Sequence, residues 1–565
     1  MINFDSMLTF QLLAIWCYQQ GTLKICSTWH IIKITNQARI SHAFNSINLI
    51  FTNKLTYKTA LIKPYKTQIK IDILSIKGTV NLTFKKDTFK SYTTIVDIVK
   101  HHILSKTWLP GDRISSVRVM SKAQGLSPMT VLKAYEFLES EGWVYAKPRA
   151  GYYVSAHLNQ IFSFESNPKT ENTEPKIIES SYIAIELLNA SKEQRFTHFG
   201  SAFPDPKLFP IKKLGSMMGQ SARKQSTLER CNDLSPGNSD LRRLIAHRYI
   251  RNGINISADD IIITSGAMDA LRLSITSVTK PGDIVAIESP SFYGSLHTLK
   301  QLGLNLVEIP SVTGCGVNID ELEKTIENNN ISAFVFMSNF QSPSGKTISI
   351  EKKKSIYRLL AAKNIPIIED DVYSELYFTE NKPLPIKAFD THGIVLHCSS
   401  FSKSLAPGFK VGWVVAGTYV KTLQRNQILS STSAGIPNQS ALAAYLQYGG
   451  YDAHLRRLRL VLEQRKKQAV KLVKDYFHPE TTLSPPSGGY FLWLEFPKEI
   501  NTSFLFKTLL EKHQISIAPG MIFSRDNKFK HCLRLNFSYE WNEKNINSLK
   551  TLANNINILI DNKTS

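Results

Sequence analysis

The sequence predicts an α/β protein in two parts: a small helical head closed by a β-hairpin, and a large body built on a parallel-rich sheet. Three observations carry this. Short apolar runs at 261–264, 284–288, 333–337, 365–370 and 394–397 alternate with helical stretches, the pattern of a parallel sheet wrapped by helices. An apolar stripe of helical period (Ile95, Ile98, Val99, Ile103) opens a compact region upstream, which ends in two alternating runs around Lys147-Pro148-Arg149-Ala150-Gly151. The chain has 565 residues, too many for one ordinary domain, and its 42% hydrophobic content suits a large core.

Residues 1–91 are rich in Ile, Lys, Asn and Thr, with twelve Lys/Arg against Asp5, Asp72 and Asp87. They show no helical period and are expected to form a poorly ordered basic extension. The formal net charge of +22 points to nucleic acid or another anionic partner without saying where it binds. Six cysteines are scattered with no CxxC pair, which argues against zinc and a disulfide scaffold and suits a reducing cytoplasm. No apolar run reaches the ~20 residues that cross a bilayer. The longest, at 7–18, lacks a basic lead-in and is not read as a signal peptide.

Residues 92–155 read as three helices and a hairpin. The first helix ends before the Leu109-Pro110-Gly111-Asp112-Arg113 turn, a second covers 117–123, and Gly125-Leu126 turns the chain. Ser127 can cap a third helix, Pro128 can take its first position, and Gly142 ends it. That order is a winged helix-turn-helix. Pro-Gly-Asp-Arg, then Ser-Val-Arg, then Ser127-x-x-Thr130-Val-x-x-Ala-Tyr and a glycine-containing wing resemble the GntR family of bacterial regulators. The resemblance implies operator DNA as partner. It places Ser127, Met129 and Thr130 near base edges, Arg113 and Arg118 at phosphates, and Arg149 with Gly151 at the wing. Eight basic residues against five acidic ones give the module only a modest charge of its own. Residues 156–195 are polar and proline-punctuated, a linker with a short helix near 183–188; about 40 flexible residues would span roughly 35 Å.

In the body, residues 196–565, the apolar run 393–397 leads into Cys398-Ser399-Ser400-Phe401-Ser402-Lys403, a Pro407-Gly408 turn and Lys410. A lysine just past a buried strand sits at the carboxyl edge of a parallel sheet, where open α/β folds place ligands. Partly desolvated, it can lose its proton and form a Schiff base with an aldehyde. The stretch alone is equally consistent with a surface lysine. The run 365–369 shifts the balance, because it ends in Asp370-Asp371 with Tyr373 close behind. A carboxylate that keeps a pyridine nitrogen protonated, a lysine and a phenol are the set that pyridoxal 5'-phosphate (PLP) chemistry requires.

Further segments in order resemble the fold-type I PLP aminotransferases: Pro204 to Pro210, Gly237 to Arg242, Thr264-Ser265-Gly266-Ala267-Met268, Glu288 to Gly294, Gln341-Ser342-Pro343-Ser344-Gly345, Pro486 to Trp493 and Cys532-Leu533-Arg534-Leu535. The resemblance implies a phosphate cradle at Gly266, Ala267 and Met268 with Ser400 and Ser402, and Phe292 stacked on the ring. It implies Tyr373 at the ring hydroxyl and Arg534 on a substrate carboxylate. Lys403, Asp370 and Tyr373 are the expected catalytic set. Three departures weigh against fast transamination. Lys410 stands where the family has a phosphate-binding arginine, and it loses the two-pronged fork. Ser342 replaces an asparagine that touches ring and substrate, and no tyrosine lies between Tyr182 and Tyr249 to reach a partner's phosphate. A GntR head on an aminotransferase-like body resembles the MocR subfamily of PLP-dependent transcriptional regulators. This implies a cytoplasmic, nucleoid-associated homodimer that senses PLP or a small amino-containing effector. The competing expectation is a working aminotransferase carrying a DNA-binding head.

Overall fold

The computed structural model describes residues 23–27, 30–34, 58–62, 69–76, 79–85, 91–156, 180–224, 233–312 and 316–564. The chain divides into two compact units, Met1–Glu174 and Pro175–Ser565.

Before the head, the described residues form a hairpin of β1 (Leu23–Ser27) and β2 (His30–Ile34) and an antiparallel sheet of β3 (Lys58–Ile62), β4 (Ile69–Ile76) and β5 (Thr79–Lys85). These strands lie within the stretch expected to be a poorly ordered extension; the remainder of 1–90 lies outside the described residues. The signal was present in Ile69-Lys70-Ile71-Asp72-Ile73, which alternates with period two.

The head follows its sequence closely. Helices Ser91–Leu104, Val117–Gln124 and Pro128–Ser140 precede the hairpin of β6 (Val144–Lys147) and β7 (Gly151–Val154). Ser127 caps the third helix by accepting from the Thr130 amide, and Pro128 opens it, costing no bond because a first-turn amide is unpaired anyway. Val131, Ala134, Tyr135 and Leu138, spaced i, i+3, i+4 and i+7, are fully buried against Ile95, Val99 and Ile103. Each large apolar member contributes roughly 1.5–3 kcal/mol by leaving water.

The body centres on an eight-stranded sheet ordered β11-β10-β9-β12-β13-β14-β15-β8. Its members are β8 (Ile261–Thr264), β9 (Ile284–Ser289), β10 (Asn305–Val312), β11 (Gly316–Val317), β12 (Ile331–Phe336), β13 (Ile367–Asp370), β14 (Val395–Ser400) and β15 (Gly412–Val415). Strands β10, β9, β12, β13 and β14 pair in parallel. β15 runs antiparallel to both β14 and β8, so those two strands are parallel to each other. β15 is not among the strands that the sequence predicts. It fits only because position 412 is glycine: a Cβ there would lie 2.7 Å from the Gly266 carbonyl carbon. A four-stranded antiparallel sheet forms the smaller C-terminal part, from β16 (Thr482–Leu483), β17 (Phe491–Glu495), β18 (Ala518–Pro519) and β19 (Cys532–Asn536).

The expected linker is shorter than 156–195. Helix Ser180–Ala190 belongs to the large unit, with Ile183 and Leu187 buried in its core. Ile183 and Leu187, one turn apart, dock it on that core, while Tyr182, Ile185 and Leu188 stay exposed. Residues 157–179 lie outside the described residues.

Candidate functional sites in the body and the head

The carboxyl ends of β13, β14 and β8 gather most of the body's predicted residues. Period-two alternation sends consecutive acids of the Glu369-Asp370-Asp371 run to opposite faces of the sheet. Asp370 is buried, and its Oδ1 has no hydrogen-bond partner. Burial pushes its carboxyl up to about 7, with Asp371 adding to the rise and the Val372 amide, Lys403 and His397 opposing it. Lys403, partly buried in the turn after β14, donates from Nζ to the Ala202 carbonyl at 2.7 Å. Burial pulls its amine down to about 7, helped by Arg534 and Lys410 and opposed by Asp370. Exposed Lys410 shares the ring of Phe203 with it, at 5.9 Å against 4.8 Å.

Arg534, on β19, is fully buried. Nη2 donates to the Gly200 carbonyl at 2.7 Å, while Nε and Nη1 have no partner. The rings of Phe491 and Phe523 lie 4.2 and 5.2 Å from the guanidinium carbon. Burial lowers its proton affinity, and Tyr293, Tyr373 and Tyr490 restore part of it. Tyr373 is buried edge-on to Tyr490 and Phe491, close enough to Asp370 and Arg534 to feel both charges.

Gly266, at φ 95°, opens helix Ala267–Val278 with no side-chain cap on its first turn. The uncapped amides and the positive end of the helix dipole suit that turn to an anion. The Cα of Lys410 would lie 3.9 Å from a Cβ on Gly266. Met268 and Phe292 meet beside it, both crowding the space above Gly294. Ser342 is buried with its hydroxyl unpartnered, and Ser400 Oγ accepts a long bond from the Ser402 amide at 3.4 Å. Buried unpaired groups are costly unless a ligand completes them. Asp370 Oδ1, Arg534 Nε and Nη1, and Ser342 Oγ therefore fit a bound group that carries a protonated ring nitrogen and a carboxylate.

Sequence reasoning missed the other face of the sheet. There His397 Nε2 lies 3.1 Å from Asp371 Oδ2, and His397 Nδ1 2.8 Å from the Tyr249 hydroxyl, which accepts from Trp413 Nε1 at 2.9 Å. Asn339 donates to Asp371 at 3.1 Å and accepts from buried Lys353 at 2.6 Å. This chain braces the strand from which Asp370 projects. It was half visible: two of three successive acids had to face away from Lys403.

In the head, Arg113, Arg118 and Arg149 are exposed. The Arg113 guanidinium lies 3.5 Å from where a Cβ on Gly151 would be, so it packs on the wing. Arg149 stands at the wing tip with φ 60°. Ser127 Oγ and Thr130 Oγ1 bond each other at 2.8 Å, and Met129 is 72% exposed.

Two family profiles match these units: bacterial regulatory proteins of the gntR family over residues 91–154, and aminotransferase class I and II over residues 211–549. The HTH-type transcriptional regulator YdcR of Escherichia coli is 40% identical over 82% of this chain and 98% of its own length. The chain belongs to the MocR subfamily of GntR-type transcriptional regulators. Among its other relatives, NorG of Staphylococcus aureus, also named an HTH-type transcriptional regulator, is 30% identical over 76% of this chain and 96% of its own. The MocR body shares its fold with solved aminotransferases. The multiple substrate aminotransferase of Thermococcus profundus superposes with a TM-score of 0.62 at 23% identity, over 72% of this chain and all of its own. The kynurenine aminotransferase of Pyrococcus horikoshii gives 0.60 at 25% identity, over 71% and 98%.

Proposed function

We propose that this MocR-type regulator holds PLP in the body through Lys403 and responds to a small amino-containing effector by altering how its head engages operator DNA. The observation that carries the reading is one juxtaposition. A lysine amine held near neutrality faces a buried carboxylate with a free oxygen and a buried guanidinium with two free nitrogens. PLP, when bound, supplies an aldehyde and an electron-withdrawing ring. Asp370 would keep the pyridine nitrogen protonated. The Ala267 and Met268 amides, with Ser402 and Lys410, would take the phosphate, and Phe292 and Ser342 would border the ring. Tyr373 would serve the ring hydroxyl, and Arg534 would take an effector carboxylate through its two-pronged fork. With its amine pulled down to about 7, Lys403 is in part deprotonated at neutral pH and so available as a nucleophile without a separate base.

The head supports the operator side. Its capped third helix presents a first turn to the major groove, with exposed arginines on the flanking helix and the wing. Like its family, the protein is expected to act as a homodimer in the bacterial cytoplasm, at the nucleoid when bound. An effector can shift DNA binding only if it contacts the two states differently, and release of Lys403 and Arg534 from the 200–202 carbonyls is such a difference.

The test is the absorbance of purified protein with PLP, before and after amino acids and amines, with Lys403→Ala as control and operator binding followed in parallel. A persistent spectral change that tracks altered DNA affinity, with no turnover of added keto acid, supports the regulator. Steady product formation without a change in DNA affinity overturns it in favour of an aminotransferase.

A further inference from the structure

The recognition helix has an unusual inventory for base reading. Residues 128–140 contain no arginine, asparagine or glutamine, the side chains that make two-pronged bonds to guanine or adenine. Its first turn is also short of free polar groups. Pro128 has no amide hydrogen, and the hydroxyls of Ser127 and Thr130 are turned onto each other and onto the cap. Lys133, one turn on, has its ammonium 5.6 Å from the Tyr92 ring centre. What the first turn does present is Met129. It is 72% exposed, against 58% for Val119 and 41% for Phe137, although nothing in the head's core requires a methionine there.

The elements on either side of this helix in the chain each carry an exposed basic side chain: Arg118 on the preceding helix and Arg149 on the wing. Those charges call for a polyanion whose grooves carry an apolar feature. In the major groove that feature is the C5-methyl group of thymine. An unbranched, polarisable thioether adapts its shape to such a methyl better than a branched side chain does.

We propose that Met129 is a specificity-determining residue of the head, reading one thymine per bound head through its C5-methyl. The inference rests on the operator-binding reading above and names the base that reading leaves open. Burying one methyl is worth about fourfold in affinity, from roughly 0.8 kcal/mol per buried carbon.

The experiment selects duplexes from a random pool with the full chain and PLP. Each selected thymine is then replaced by uracil, which keeps the pairing and the O4 acceptor but lacks the methyl. The expected result is a single position per head at which uracil weakens wild-type binding about fourfold. Met129→Ala binds the thymine site more weakly, ignores the uracil replacement there and relaxes selection at that position alone. Met129→Leu recovers part of the discrimination. The inference is overturned if wild type tolerates uracil at every selected thymine, or if Met129→Ala suffers the same uracil penalty as wild type. Enrichment without a uracil effect sinks this inference alone. A pool that yields no enriched sequence removes the operator-binding reading and this inference with it.

Discussion

The two units arrange their functional side chains in opposite ways. In the head, Arg113, Arg118, Arg149 and Met129 stand in solvent, and the polar groups of the recognition turn are already satisfied by one another. In the body, Asp370, Arg534 and Ser342 are buried and left incomplete. The difference follows from the ligand each unit suits. A long polyanion is met at a surface, where charge acts at range and screening by salt is tolerable. A small molecule must be gripped by few groups, so each must be desolvated in advance and aimed. The body therefore holds unspent electrostatic free energy in its ligand-free form, and the head does not.

The largest test of that contrast is Lys403→Ala. It is expected to abolish the lysine-dependent absorbance of added PLP while leaving salt-dependent DNA affinity intact; loss of both would show that the units are not separable. Arg534→Leu comes next. Two charge-assisted bonds of roughly 1.5–3 kcal/mol each would make effector binding about 100- to 10,000-fold weaker. The ligand-free protein should nevertheless melt no lower, since an incompletely paired buried cation has been removed. A drop in Tm would mean that Arg534 is a structural anchor.

Asp370→Asn sharpens the comparison through pH. The carboxyl is raised in the fold, so the folded protein binds more protons than the unfolded chain between its ordinary value near 4 and about 7. The native state is thus penalised progressively as pH rises through that window, and fully above it. In ligand-free protein, Asp370→Asn should raise stability at pH 8, by up to about 4 kcal/mol, and leave it unchanged at pH 4. Thermal melts at the two pH values check this. Arg118→Ala should weaken binding evenly across operator sequences and lower the salt slope by about 1. The smallest effect is Ser127→Ala, about 1 kcal/mol of head stability from the lost cap, read by the melting of the head's helices.

Legibility in the sequence divided along the same line. The head's architecture was readable because caps, turns and the i, i+4 stripe are local signals, and residues within it touch near neighbours in the chain. Lys403 and Asp370 were readable because buried strands announce their own ends. The bracing network of Asp371, His397, Tyr249 and Trp413 was not, since its members come from separate elements and acquire meaning only once β13, β14 and β15 lie side by side. β15 escaped for a related reason. Gly412-Trp413-Val414-Val415 is too short to declare itself, and what makes it a strand is the space that Gly412 leaves beneath Gly266. Helix Ser180–Ala190 was placed in a linker because its surroundings are polar; its membership of the body rests on Ile183 and Leu187 meeting a core formed far downstream.

The resting positions of the two cations carry one more consequence. Lys403 is moored to the carbonyl of Ala202 and Arg534 to that of Gly200, so a single short segment serves as the ballast for both. A ligand that claimed both side chains would remove one hydrogen bond from each of these carbonyls, while Tyr490 still donates to Ala202 and Asn536 to Ser201 between them. Occupancy would then tug on the backbone that follows helix Ser180–Ala190, the first described element of the body after the head. Hydrogen exchange at residues 200–203, with and without a bound amino acid, reads that tug directly; unchanged exchange would mean that the mooring is incidental.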